Sequence, residues 1–451
     1  MLNKQAVNFM QKMEISDWGN YPVLEAETVK FKTTDQLKGI LNNPGDVIAY
    51  GNGRSYGDAS LQERVIMTKS FNSFVSFDQE KGIICCEAGV LLSDILEAFV
   101  PRGWFLPVSP GTKYITVGGA VAADIHGKNH HIEGSFGSHV LSLDVMRANG
   151  EMIHCSPEIN KEFFALTVGG MGLSGMIINI TFKMKPIESS WIKQQYKKTS
   201  SISELMDEFE SDDQWNYSVA WIDTLKTGKS LGRGILLRGQ HAKAEEINHG
   251  LNYSKYRATN INLNYYMPNR FLNRSVIKAF NSIYYNRNIK GYHEKMVHYE
   301  SFFYPLDNLG NWNRLYGRRG FMQYQFVIPF SAGRKPLEMI LKKIESSRFG
   351  SFLAVLKLFG EQESFISFPM KGYTLALDFP VCFEVFKLMK ELDSVVADFG
   401  GRLYLAKDAR MDSKMFEKTY PFADDFREAI SILNDGSTRF SSLLSKRIGL
   451  T

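Results

Sequence analysis

Cysteine is scarce in this chain, at four among 451 residues, and no two stand in a CxxC pair. Cys85 and Cys86 are adjacent in the run GIICCEAG, and Cys155 and Cys382 stand alone. That spacing excludes a disulfide framework and a cysteine metal site, and all four are expected as small buried side chains. Long apolar runs are missing too. No window approaches the ~18 apolar residues of a membrane-spanning helix. The start, MLNKQAVNFMQKMEISDWGNYP, lacks the charged opening, apolar stretch and cleavage site of a signal peptide. Cytoplasmic residence is therefore expected. A surplus of one charge is also lacking, with 53 Lys and Arg against 48 Asp and Glu. A global nucleic-acid binder carries a stronger and broader basic bias. The small surplus is local: residues 261–320 hold nine Lys or Arg and three Asp or Glu, +6 in all, and the rest of the chain totals −1.

What is present suits two or three folded domains, at roughly 150 residues each. The first 185 residues read as short β-branched runs between glycine turns, including DVIAYGNG (46–53), GIICCEAGV (82–90) and GMIINITFKMKP (175–186). Asn149-Gly150 between alternating apolar residues predicts a hairpin over 139–155. Helices are predicted at Thr34 to Leu41 with Thr33 or Thr34 as the cap and at Leu92 to Val100 behind Ser93, making this part mixed α+β. Further on, FMQYQFVIPF (321–330) and YTLALDFP (373–380) read as strands, and Cys382 to Phe399 as a helix ending at Gly400-Gly401.

Three glycine loops carry the chemistry. The first is Gly51-Asn52-Gly53-Arg54-Ser55-Tyr56-Gly57-Asp58, followed by Ala59. No apolar helix follows its GxGxxxG spacing, so a Rossmann unit is excluded, yet converging N–H groups and Arg54 can hold phosphate. The second runs from Pro110-Gly111-Thr112 to Thr116-Val117-Gly118-Gly119-Ala120-Val121-Ala122-Ala123-Asp124-Ile125-His126-Gly127. Its lack of bulk lets a flat group or a pyrophosphate lie against the backbone. The third is Thr167 to Gly175. One such loop is an ordinary turn; three beside strands point to an extended cofactor lying across them.

In order and spacing the loops resemble the PCMH-type flavin-binding domain of the vanillyl-alcohol-oxidase superfamily of FAD-linked oxidoreductases. A closer resemblance, to the decaprenylphosphoryl-β-D-ribose 2-oxidase family, spans nearly the whole chain. GRSYGD (53–58), PGT with TVGGAVAADIHGKNHH (110–131), GSFGSHV (134–140), TVGGMGLSG (167–175), NRLYGRRGFMQYQFVIP (313–329) and FGGRLYLAKDAR (399–410) carry it. The resemblance implies a two-domain α+β fold: an FAD-binding domain at 1–189, a substrate domain at 190–401 on an antiparallel sheet with flanking helices, and a segment at 402–451 returning to the first domain. It implies FAD contacts at Gly51 to Ala59, Gly111, Thr116, Val117, Gly118, Gly119, Ala123, Asp124, Ile125, His126, Ile177 and Tyr404. Near the sugar it implies Lys407 and His126 as catalytic groups, with Tyr56, Lys128, Tyr316, Gln323 and Gln325 binding substrate, and no metal. Many superfamily members carry GHS, whose histidine bonds the flavin; Gly53-Arg54-Ser55 here implies non-covalent FAD. Mycobacterial members have a cysteine where this chain has Ala376.

The implied reaction oxidises the C2 hydroxyl of a polyprenyl-phospho-pentose, the first half of a 2-epimerisation. An NAD(P)H-dependent short-chain reductase would complete it, giving the arabinose donor for a cell-wall or surface polysaccharide. Residues 265–290 interleave Tyr265, Tyr266, Phe271, Phe280, Tyr284 and Tyr285 with Arg270, Arg274, Lys278, Arg287 and Lys290, without an acid. Aromatics amid cations suit nucleic acid, a lipid interface or a solvated helix with one core face. A polyprenyl-phosphate substrate tilts this toward peripheral docking at the inner membrane rather than nucleic acid. Two alternatives stay open: oxidation of a soluble sugar, alditol or aldonolactone, and a non-enzymatic lipid- or nucleic-acid-binding protein.

Overall fold

The computed structural model describes residues 10–211, 215–247, 252–253, 261–269, 271–287, 291–347 and 349–451. The first nine residues of the start considered above, and Arg270 and Lys290 of the basic segment, lie outside the described residues.

Two smaller sheets carry the glycine loops. In one, Met10–Ile15 pairs antiparallel with Leu24–Lys30, which continues in parallel to Arg64–Met67 and Ile48–Tyr50. The other is antiparallel, in the order Phe74–Asp78, Ile83–Glu87, Met176–Lys183, Val140–Met146, Met152–Cys155. The predicted hairpin closes with Met146 opposite Met152, and Gly150 takes the φ of 81° that glycine tolerates. Beyond Pro186 the chain builds an eight-stranded antiparallel sheet. Its order is Tyr292–His298, Trp191–Thr199, Gly234–His241, Tyr217–Ile222, Ala354–Phe359, Gly372–Pro380, Phe321–Pro329, Arg402–Leu403. This is an α+β fold of antiparallel sheets with packed helices.

The helices Ile202–Glu210, Lys335–Ser346 and Phe383–Asp398 cover one face of the large sheet. Leu205, Ile340, Leu341 and Val396 meet alternate strand residues such as Ala220, Leu356, Leu375 and Phe326 in the main core. The period-two pattern of a strand sends the intervening residues to the other face, which is left open for a cavity. Among the described residues no helix is long and apolar enough to cross a membrane.

Two local expectations change. Ser93 does not cap its helix: Leu92–Phe99 starts at Leu92 as expected, with Ser93 inside it and Leu91 as the N-cap, and the Asp94 carboxylate accepts the Leu91 N–H at 3.2 Å. An acid at the third helical position can satisfy the N-cap amide. Of the cysteines, Cys86 and Cys155 are buried, but Cys85 and Cys382 are half-buried. Cys85 alternates with Cys86 to the other face of its strand, and Cys382 immediately precedes a helix.

The C-terminal residues return to the glycine loops. Val47 bridges to Phe440, and Gln62 Nε2 donates to the Ser441 carbonyl at 3.0 Å. Arg447 then clamps Asp58 of the first loop, at 2.7 and 3.0 Å, and Asp408 beside Lys407, at 2.8 Å. Both carboxylates are almost wholly buried. Replacing Arg447 with Met leaves two buried charges uncompensated, which costs about 3–5 kcal/mol. Denaturant unfolding of the FAD-loaded protein should show that loss, and an unchanged midpoint would refute it.

Candidate active site

Hydrogen bonds zip the three glycine loops together. Thr116 caps the helix Val117–Ala122 by accepting the Gly119 N–H at 3.1 Å, and a side chain on Gly51 would meet the same hydroxyl at 2.5 Å. Asn52 Nδ2 donates to the Tyr114 carbonyl at 2.8 Å. The third loop docks on the second through Gly169 N–H to Val121 O, at 3.0 Å, and Met171 N–H to Ala122 O, at 2.9 Å. Between them lies a narrow cavity of about 140 Å³ with thin walls, among them Ala49, Ala59, Ala88, Gly118, Gly119, Ala122 and Ala123.

These walls suit an extended, phosphate-bearing cofactor. Among the described residues, the backbone N–H groups of Gly53, Arg54 and Ser55 take no hydrogen-bond partner, and Gly53 has the φ of +57° typical of an anion-binding turn. Arg54 Nε is buried and unpartnered as well, while its guanidinium lies 4.1 Å from the Trp18 ring centroid. A buried donor such as Arg54 Nε calls for an acceptor, and the unpaired N–H groups of the turn lie in the same loop.

The narrow cavity opens into one of about 700 Å³, with Arg54, Ile115, Ile125, Tyr404 and Lys407 lining both. The open face of the large sheet forms its floor. Gln323 and Gln325 lie on the strand Phe321–Pro329, Ala376 opposite Gln325 on the next, Val355 opposite Ala376, and Trp221 opposite Val355. Polar groups hold the side near the cofactor loops. Val219, Trp221 and Leu237, roofed by Phe280 and Tyr284 of the helix Arg274–Asn286, hold the other.

Lys407 stands where the cavities meet, with Nζ 3.6 Å from the Tyr56 ring centroid. Burial pulls its amine down to about 7 against the pull of Asp378. Burial raises Asp378 to about 7 as well, although Gln323 Nε2 donates to its Oδ1 at 2.7 Å. Asp17, tied to Ser60 at 2.7 Å, is likewise raised to about 7 by burial.

The protonation of His126 follows from its neighbours. Thr374 Oγ1 donates to the Phe326 carbonyl at 2.9 Å, so toward Gln325 it can only accept, at 3.2 Å. That fixes the Gln325 NH2, which also faces His126 Nε2 at 3.0 Å. Nε2 is therefore the acceptor, and the proton sits on Nδ1, a buried atom with no partner among the described residues. Burial holds the ring neutral, its pKa well below the usual histidine value.

Of the predicted cofactor residues, Gly51, Asn52, Gly53, Arg54, Ser55, Ala59, Thr116, Gly118, Gly119, Ala123, Ile125, Ile177 and Tyr404 line the narrow cavity. Tyr56, Gly111 and His126 line the larger one. Gly57, Asp58, Val117 and Asp124 line neither. Gly57 is pressed on the Asp408 carbonyl, Asp58 is held by Arg447, and Val117 is fully buried. Asp124 accepts from Gly137 N–H at 2.9 Å and from Gln362 and Ser367 at 2.6 Å each. Lys128, Gln323 and Gln325 line the larger cavity, as does Ala376, but Tyr316 does not. Tyr316 stacks on Phe321 at 4.3 Å with its hydroxyl toward Asp378.

Sequence reasoning missed Lys357 and Asp307, which line the larger cavity, and Asp378 and Asp17, which act on Lys407; Asp307 accepts the Lys113 N–H at 3.0 Å. Lys357 and Asp378 had a signal, a charge at an inward position of an alternating strand (Val355, Lys357; Ala376, Asp378). Asp17 had none. The basic segment also changes: Arg274 is paired with Glu345 at 2.9 Å, and Phe280 and Tyr284 face the cavity. Tyr265 and Ile283 are exposed, at 84% and 69%.

A family described as FAD binding domain matches residues 28–156. The decaprenylphosphoryl-β-D-ribose oxidase of Mycolicibacterium smegmatis is 38% identical over 415 residues, 90% of this chain and 89% of that protein. A Streptomyces coelicolor protein described as uncharacterized is 29% identical over 80% of this chain and its own full length. A putative D-arabinono-1,4-lactone oxidase of Neurospora crassa is 28% identical, but over 31% of this chain and 25% of its own. The large-sheet cavity and the glycine loops thus sit in a chain alignable almost end to end with the first of these, and this protein is an FAD-dependent oxidoreductase belonging to the decaprenylphosphoryl-β-D-ribose oxidase family.

Proposed function

We propose that this chain oxidises the C2 hydroxyl of a polyprenyl-phospho-pentose of the decaprenylphosphoryl-β-D-ribose type to the 2-keto sugar. The polarity gradient of the cavity floor carries the proposal: Gln323, Gln325 and Lys407 lie at the cofactor end, and Val219, Trp221, Phe280 and Tyr284 at the other. A ligand matching it has a polar head and an apolar tail. A soluble sugar or aldonolactone would leave the aromatic end in contact with water.

Bound FAD supplies the two-electron acceptor for the alcohol carbon. Lys407 Nζ, neutral above about 7, takes the hydroxyl proton, and Gln323 with Asp378 fixes the sugar beside it. His126, its ring neutral and its Nε2 engaged by Gln325, orients that glutamine in the cavity wall and is not the base. Tyr56 and Lys128 complete the wall, and Tyr316 acts through Asp378. FAD is held without a covalent bond, Arg54 standing where other superfamily members place the attaching histidine. The FAD-binding part at 1–189 with 402–451, and the substrate part at 190–401, meet at this cavity.

Exposed Ile261, Tyr265 and Ile283, with the exposed cations Lys278 and Arg287, dock the chain peripherally on the anionic cytoplasmic face of the inner membrane. A separate NAD(P)H-dependent short-chain reductase then reduces the keto sugar to the arabinose donor for a cell-wall or surface polysaccharide.

Anaerobic mixing should bleach the flavin with a polyprenyl-phospho-pentose and not with ribose, xylitol or an aldonolactone; the reverse preference would sink the substrate assignment. The bleaching rate should fall about tenfold per pH unit below about 7, as Lys407 becomes protonated, and level off above it. Lys407→Ala should abolish that slope and slow reduction by about 10²–10⁴-fold; full activity in this variant would exclude the assigned role. Acid precipitation should leave all the flavin in the supernatant, whereas yellow pellets would show a covalent link.

A further inference from the structure

We propose that Lys128 and Lys357 form a phosphate-binding subsite in the large cavity, separate from Lys407, that receives the phosphodiester of a lipid-linked sugar. This rests on the function proposed above and adds the residues that recognise the anion.

Two elements bring these amines to one wall. Lys357 lies on Ala354–Phe359, two residues from Val355 and on the same face. The Lys128 carbonyl accepts the Ser218 N–H at 2.9 Å, two residues from Ala220, which pairs with Leu356. Lys128 Nζ donates to the Phe302 carbonyl and lies 4.2 Å from the Phe302 ring centroid, so its contacts are neutral. Among the described residues neither amine has a carboxylate acting on it, whereas Lys407 faces Asp378 and Asp17. Buried charge without a counter-ion is costly. Burial holds Lys128 at about 7, with Lys357 pushing it further down, and Lys357 at about 8. The missing negative charge is one that a ligand can bring.

Position fixes which ligand atom that is. Across the sheet the order runs from Gln323 and Gln325, through Ala376, to Val355 and Lys357, and then to Val219 and Trp221. Sugar, phosphate and prenyl chain follow one another in the same order. The other titratable groups near the pair are His126 and His130, both held neutral by burial, His130 at about 4, and Lys407. Lys407 shares its charge with Asp378 and Asp17, so an arriving anion acts first on the two amines that face it without a carboxylate, and binding takes up protons at pH 8. At pH 6 both amines already carry theirs, and uptake vanishes.

Calorimetry of the FAD-loaded enzyme with farnesyl phosphate, inorganic phosphate and farnesol, at both pH values and in buffers of differing ionisation enthalpy, reads this directly. Farnesyl phosphate should bind with uptake of about one proton at pH 8 and little at pH 6. Lys128→Met and Lys357→Met should each raise its Kd about tenfold and cut the uptake. Both variants should keep the flavin absorbance of a folded protein and an unchanged farnesol affinity. Unchanged Kd values in both variants, or no uptake at pH 8, would overturn the subsite. Inorganic phosphate binding as tightly as farnesyl phosphate would overturn the lipid-linked source. Lysine-dependent binding in an enzyme that no polyprenyl-phospho-pentose reduces keeps the subsite and sinks the oxidase proposal; reduction with unaltered Kd values in the variants does the opposite.

Discussion

The ion pair of Arg447 with Asp58 and Asp408 fixes how close two distant parts of the chain come at the centre of the molecule. One carboxylate ends the first glycine loop, and the other follows Lys407. Each would be too costly to bury alone, so the guanidinium between them sets their separation. Gly57 then sits against the Asp408 carbonyl, where even a Cβ would come within 1.8 Å, and the Tyr56 N–H reaches the Ala406 carbonyl at 3.0 Å. The placement of the Lys407 amine over the Tyr56 ring follows from this packing. The same contact that walls the narrow cavity also holds the amine where the two cavities meet.

The large sheet supplies a second constraint. Helices occupy one face, so alternate residues of five neighbouring strands go to the cavity, and strand order becomes an axis of polarity. Gln323 and Gln325 lie near Lys407, Lys357 lies at the midpoint, and Trp221 with Leu237 lies beyond. A ligand cannot reverse itself here without burying its polar head among rings, at a cost of several kcal/mol. Orientation is thus decided by the sheet before any single hydrogen bond is made.

Much of this was legible in the sequence because glycine loops, hairpin turns and alternating strands are local signals. Asn149-Gly150, the Thr33 cap and the strands at 321–329 and 372–380 each declare themselves within ten residues. The residues that reach the cavity from the loops were legible mainly through family resemblance. What stayed hidden depends on packing at long range. Whether Arg274 faces solvent depends on Glu345 from another helix, and whether Tyr316 reaches the cavity depends on Phe321 beneath its ring. Asp17 gains its burial from a loop some forty residues away. Lys357 and Asp378 lay between these cases, since their strands were readable but the face left open by the helices was not.

Three buried lysines in one cavity would be an electrostatic liability if all had one role, and their surroundings separate them. Lys407 has Asp378 and Asp17 to share charge with, so it can exchange a proton near neutral pH without an incoming ion. Among the described residues Lys128 and Lys357 have no carboxylate acting on them, and the carbonyl and ring of Phe302 only cradle the first. An amine that must cycle between two protonation states benefits from nearby carboxylates that keep both states affordable. An amine that must hold an anion benefits from their absence, because any resident acid would compete with the ligand. The distribution of aspartates, more than that of lysines, therefore sets Lys407 apart from Lys128 and Lys357 within one cavity.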